Sequence, residues 1–142
     1  MLIFMEALEQ LTYTTIGCAY KVHSCLGPGL LESAYEVSLE YELRNAGLFV
    51  ARQKAIPLVY QDIKLDAGYR IDLLVNNILL LEIKSVDAVA PIHRAQALTY
   101  LKLSGLNLGL ILNFNVCNMQ EGVHRVILSK SGMTKKDNLR KS

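Results

Sequence analysis

At 142 residues, of which 51% are hydrophobic, the chain has the length of one domain and enough apolar material for a core, which excludes disorder for its bulk. No apolar run approaches the roughly 18 residues that a membrane span needs, and the first residues carry Glu6 and Glu9 without a Lys or Arg, so neither a membrane protein nor an exported one is expected. The formal charge of +2 is uneven: from Lys130 onward five basic residues face one acid, whereas the body is slightly acidic.

The elements follow in order. Leu8, Leu11, Ile16, Ala19, Tyr20 and Val22 recur near helical spacing and predict a first helix from about Glu6 to His23. Leu26-Gly27-Pro28-Gly29 breaks it. A second helix is expected over Leu30–Asn45, with Gly47 as its C-cap. Short β-rich runs come next: Phe49–Ala51, Ala55–Tyr60, Ile63–Ala67, Tyr69–Val75 and Ile78–Val86, with turns at Gln61-Asp62 and Asn76-Asn77. Pro91 opens a third helix to about Ser104, with Ala95, Leu98, Leu101 and Ala97 facing inward and Gly105 ending it. Leu108–Phe114 and Val123–Leu128 are the last strands. Helices and strands in this order predict an α/β (α+β) three-layer fold, a sheet between helices.

Three cysteines, Cys18, Cys25 and Cys117, form no C-x-x-C pair and suit free thiols in a reducing, cytoplasmic setting. His23 and His93 are each expected to be structural, hydrogen-bonded residues.

The unusual chemistry lies in Tyr69–Lys84, where two acids and a lysine interrupt otherwise apolar strands. Glu82 and Lys84 are two apart, so on a strand they project from one face. A buried carboxylate needs a partner cation or a metal. The bland resolution is an ordinary Glu82–Lys84 ion pair; the alternative is that Asp72 and Glu82, hard oxygen donors, hold Mg2+ or Mn2+ while Lys84 serves a water or the developing phosphate charge in phosphodiester hydrolysis. Register discriminates. A two-residue loop at Asn76-Asn77 sets Asp72 opposite Leu81 and turns it away from Glu82; a three-residue loop, Val75–Asn77, sets it opposite Leu80 on the side of Glu82 and Lys84. An odd loop or a bulge is therefore predicted.

Two further motifs join these: Gly29-Leu30-Leu31-Glu32-Ser33-Ala34-Tyr35 reads G-x-x-E-x-x-Y, and Gln96-Ala97-Leu98-Thr99-Tyr100 reads Q-x-x-x-Y. With them the chain resembles the GxxExxY protein family, a branch of the PD-(D/E)XK nuclease superfamily, and its Gln/Tyr motif resembles that of RecB-type and lambda-exonuclease-like nucleases. The resemblance runs from Thr12 to Leu128. It implies a restriction-endonuclease-like fold, a central mixed sheet flanked by helices. It also implies a divalent ion, Mg2+ or Mn2+, on Asp72, Glu82 and the Ile83 backbone carbonyl, with Glu32 close by, directly or through water. Lys84 would be the catalytic lysine, and Gln96 with Tyr100 would position the substrate. Tyr35, one turn beyond Glu32, has core packing as its plain alternative, and Glu36 and Glu40 are read as solvated helix acids. One position departs: where the superfamily has its proline, this chain has Ile71.

The expectation is thus one nuclease-like domain over residues 1–129 and a basic, flexible tail over 130–142. The leading reading is a metal-dependent nuclease acting on DNA in preference to RNA, with no membrane partner and with homodimerisation as a further expectation. The alternative is a non-catalytic nucleic-acid-binding or protein-interaction module that keeps the fold.

Overall fold

The computed structural model describes residues 2–66 and 68–128; the predicted basic tail lies outside the described residues. The first helix, α1, spans Leu2–Leu26, longer at both ends than its apolar spacing indicates. Its buried stripe of Leu11, Thr15, Ala19 and Val22 repeats every three or four residues. The chain reverses at Gly27-Pro28-Gly29, where both glycines adopt left-handed φ values of 68° and 97° that a side chain would resist. Helix α2, Glu32–Asn45, then returns along α1 and buries Tyr35, Leu39 and Leu43 at the same spacing.

Five strands form one sheet in the order β1-β4-β5-β6-β7: β1 Val50–Ala55, β4 Arg70–Val75, β5 Leu79–Lys84, β6 Leu108–Asn113 and β7 Val123–Ile127. Among the described strands only β5 and β6 pair in parallel; they are joined by α3, Pro91–Ser104, which crosses the sheet. A separate hairpin, β2 Leu58–Tyr60 and β3 Ile63–Leu65, turns at Gln61-Asp62 as expected. The two predicted runs Phe49–Ala51 and Ala55–Tyr60 are redistributed: the first strand runs through the polar stretch Arg52-Gln53-Lys54, because pairing with β4 overrides the weak strand propensity there.

Alternation divides the core. Leu73, Val75, Leu79, Leu81, Ile83, Leu110 and Leu112 face α1 and α2, whereas Leu74, Leu80, Ile111 and Val126 face α3 with its Ala97 and Leu101. The molecule is therefore a three-layer α/β fold of the restriction-endonuclease-like type, a mixed sheet between helices. Ala95 is exposed, contrary to the inward position expected of it, since the buried face of α3 is set by Ala97, Tyr100 and Leu101. Cys18 packs at the edge of the core, while Cys25 and Cys117 are exposed, and all three thiols are free. Among the described residues no helix is long and apolar enough to cross a membrane.

Candidate active site

The β4–β5 hairpin has the odd connection that its chemistry requires. Asn76 and Asn77 take left-handed φ values of 50° and 60°, Ile78 N–H closes the turn on the Val75 carbonyl, and the ladder then pairs Val75 with Leu79, leaving Ile78 as an extra residue. The loop comprises residues 76–78, one position later than expected, yet its parity is the same. Pairing continues through Leu74↔Leu80 and stops at Leu73↔Leu81, so the next step of the register sets Asp72 beside Glu82.

The sheet opens at Asp72 on both sides. Toward β1 the ladder pairs Arg52 with Leu73 and Lys54 with Ile71 but skips Gln53 and Asp72, and Gln53 sits in left-handed backbone at φ 54°. Toward β5 the Asp72 side chain takes the place of a backbone acceptor: its Oδ2 receives the Ile83 N–H at 2.8 Å. The Ile83 carbonyl projects from the same strand edge as that N–H, because both groups of one residue leave a strand on one side.

Glu82 is 5% exposed, and its Oε1 has no hydrogen-bond partner. Burial, with repulsion from Asp72 next, pushes its carboxyl up to about 8, against the attraction of Lys84. Burial likewise raises Asp72 to about 6, opposed by the Ile83 N–H bond. Lys84 shares the α3-facing side of β5 with Glu82, as alternation requires, but takes part in none of the ion pairs among the described residues. The ordinary Glu82–Lys84 ion pair is therefore not what holds the buried acid.

Glu32 arrives from the opposite layer. It is the first residue of α2, exposed, and its Oε2 accepts the Ser85 N–H at 3.3 Å, just past the end of β5. Ser85 Oγ also donates to the Leu30 carbonyl at 2.7 Å, which docks the loop after Lys84 onto the start of α2. Tyr35 fixes that start. Its hydroxyl donates to the Gly27 carbonyl at 2.6 Å and accepts the Leu30 N–H at 3.1 Å, while its fully buried ring stacks on Phe114 at 4.6 Å. The G-x-x-E-x-x-Y spacing thus places a left-handed glycine, the acid and the hydroxyl that clamps the turn. Tyr35 has the structural role.

On the other layer α3 contributes Gln96, half-buried, and Tyr100, 8% exposed. The Tyr100 hydroxyl is pushed up by burial first and then by the charge of Glu82, with Tyr69 and Asp72 adding to it, so it lies within electrostatic reach of both acids. The histidines lie in hydrogen bonds that explain them: His23 Nε2 meets the Val116 carbonyl at 2.7 Å, and His93 Nδ1 accepts the Ala90 N–H at the start of α3.

Three residues of this neighbourhood escaped the sequence reading. Glu36 is not a solvated acid: it is 6% exposed and receives Arg52 Nε at 2.7 Å and Gln53 Nε2 at 2.9 Å. Gln53 Nε2 lies 3.4 Å from Asp72 Oδ1, so this network borders the site. No local signal marks Glu36, since Glu32 one turn before it and Glu40 one turn after it are at least partly exposed. Asn113, 2% exposed, bonds both the N–H and the carbonyl of Val86 and so shapes the chain after Lys84; a buried amide next to the end of a core strand carries no motif.

The fold and this rim of acids define a nuclease-like α/β protein. The sequence matches the PD-(D/E)XK nuclease superfamily over residues 9–126, and the chain belongs to that superfamily. No significant match emerges among curated proteins or among solved structures. Members of the superfamily generally use divalent metal ions. Two features of this chain fit one: the orphaned Oε1 of Glu82 and the mutual repulsion of two hard carboxylates in a buried site. Among the described residues no three His, Cys, Asp or Glu side chains gather around one point, so the fit is to a two-carboxylate set completed by water and substrate oxygens, with Glu32 standing off on Ser85.

Proposed function

We propose that the protein is a divalent-metal-dependent nuclease that hydrolyses phosphodiester bonds of DNA, of the RecB-type and lambda-exonuclease-like kind that its Gln96–Tyr100 motif resembles. Asp72, Glu82 and the Ile83 carbonyl hold Mg2+ or Mn2+, with Glu32 reached through water. The bound ion supplies Lewis-acid stabilisation of phosphate charge and a water of lowered pKa. The chain's own groups do the rest. Lys84, on the face of Glu82, orients or deprotonates the attacking water and offsets charge developing on the phosphate. Gln96 and Tyr100 donate from α3 to the phosphodiester or its nucleotide, and the departing oxygen takes its proton from solvent water.

The observation that carries this reading is the buried, unpartnered Oε1 of Glu82 beside Asp72, with Lys84 on the same face and unpaired among the described residues. In a protein without a use for that acid, its burial is a cost that the attraction of Lys84 offsets only in part. Labelled DNA and RNA, incubated with the purified protein in Mg2+ and in Mn2+, test it against Lys84→Ala and Glu82→Ala. Metal-dependent cleavage lost in both variants, by a factor of 100 or more as for removal of a principal electrostatic group, is the expected result. Activity that survives both substitutions removes this site assignment, and a folded protein that cleaves nothing leaves a non-catalytic module.

A further inference from the structure

A pocket of about 380 Å³ lies along α3 and shares Gln96 and Tyr100 with the candidate site. Leu58, Tyr69, Ile92, Gln96, Thr99 and Tyr100 line it, so its wall includes the two α3 residues assigned above to the substrate. That volume lies within the range of small-ligand sites. Its walls are apolar and aromatic yet oddly exposed: Tyr69 is 46% exposed and Ile92 70%. The Tyr69 and Tyr100 rings meet at 6.2 Å and 57°, a tilted pair, which leaves ring surface of Tyr69 unstacked by protein. Two polar groups, the Gln96 amide and the Thr99 hydroxyl, interrupt the apolar wall, and an amide offers both a donor and an acceptor. The strands and hairpin beside it carry Lys54, Lys64 and Arg70, all exposed and in none of the ion pairs among the described residues.

We propose that this pocket receives one unstacked nucleobase of the nucleotide flanking the scissile bond, with Tyr69 as its stacking platform and Gln96 on its edge. The position of the scissile bond rests on the nuclease reading above. An apolar, aromatic-walled pocket with one amide suits a base, and the neighbouring cations suit the phosphates that lead to it. The consequence is a substrate class. A base inside a duplex has both faces stacked and its edge paired, so it reaches a side pocket only after being extruded, whereas single strands and unpaired ends present bases without that cost. The protein therefore acts on single-stranded nucleic acid or on frayed ends in preference to intact duplex.

Fluorescence anisotropy of a short single-stranded oligonucleotide and of its blunt duplex, with Mn2+ present and in a Lys84→Ala background that prevents cleavage, tests this with Tyr69→Ala and Tyr69→Phe. Tyr69→Ala is expected to bind the single strand about tenfold more weakly, Tyr69→Phe to bind as the parent does, and duplex affinity to stay unchanged. Melting curves check that the variants fold. Single-strand affinity untouched by Tyr69→Ala, an equal loss on duplex, or no single-strand binding by the parent overturns the proposal. Failure of the nuclease reading is separate: Tyr69-dependent binding by a protein that cleaves nothing keeps the base pocket and removes the catalytic assignment.

Discussion

Replacing Glu82 by Gln keeps the volume of the side chain and removes its ionisation. In the folded protein without metal, burial and Asp72 hold the Glu82 carboxyl at about 8, against 4.5 for the ordinary group. Between those values the native state holds a proton that the unfolded chain releases. The stabilising contribution is thus complete below pH 4.5 and is lost as pH rises through 8. One proton corresponds to about 1.4 kcal/mol per pH unit, so the loss from pH 6 to pH 8 is about 2 kcal/mol, or roughly 8 °C in Tm at this chain length. Asp72 adds to the loss in the same direction at lower pH, up to about 6. His124, which burial and Arg94 push downward, acts in the opposite direction, gaining stability as pH rises, but it is common to both proteins. The difference between wild type and Glu82→Gln therefore isolates Glu82. Thermal and urea melts at pH 6, 7 and 8 in chelator should show the wild type weakening toward pH 8 and the variant nearly flat. Saturating Mn2+ should restore the wild type at pH 8, by about 2.7 kcal/mol at a hundredfold excess over Kd, and leave the variant unmoved. Parallel pH profiles for the two proteins, or an equal response to Mn2+, would refute both the burial of an ionisable Glu82 and its place in a metal site.

Tyr35→Phe keeps the stack on Phe114 and deletes the hydroxyl that serves the Gly27 carbonyl and the Leu30 N–H. Urea unfolding should show a loss of about 1–3 kcal/mol, seen as a lower midpoint at unchanged slope. Gln53→Gly relieves a left-handed backbone, which gains about 1 kcal/mol, while giving up the bonds to Glu36, so stability should stay within about 1 kcal/mol of the parent. Cleavage should nevertheless fall about tenfold, because the amide next to Asp72 is gone, and a normal rate would confine the Glu36–Gln53 network to structure.

The layers of this fold are legible because burial writes itself into spacing. Leu79-Leu80-Leu81 reads as a strand covered on both faces, and the structure divides those three residues between α2 on one side and α3 on the other. Leu39 and Leu43 declare the inner face of α2 in the same way. What spacing does not carry is pairing. Arg52-Gln53-Lys54 has no apolar alternation, and it forms a strand because β4 offers a ladder to it, a contact about twenty residues away in the chain.

The site shows the same division at finer grain. The parity of the Asn76-Asn77 loop follows from asking which register puts two acids on one face, and the loop has that parity, displaced by one residue because both asparagines take left-handed backbone and Ile78 becomes the extra residue. Glu36 was invisible for the opposite reason. On a helix its neighbours Glu32 and Glu40 are at least partly exposed, and nothing local distinguishes the one acid that lies under Arg52 and Gln53. A charged residue becomes buried only when a partner from another element arrives to compensate it, so its burial belongs to the tertiary fold and leaves no mark on the segment that carries it. Glu82 differs because no such partner arrives at Oε1, and that missing compensation inside a central strand is what separates an acid kept for chemistry from one kept for structure.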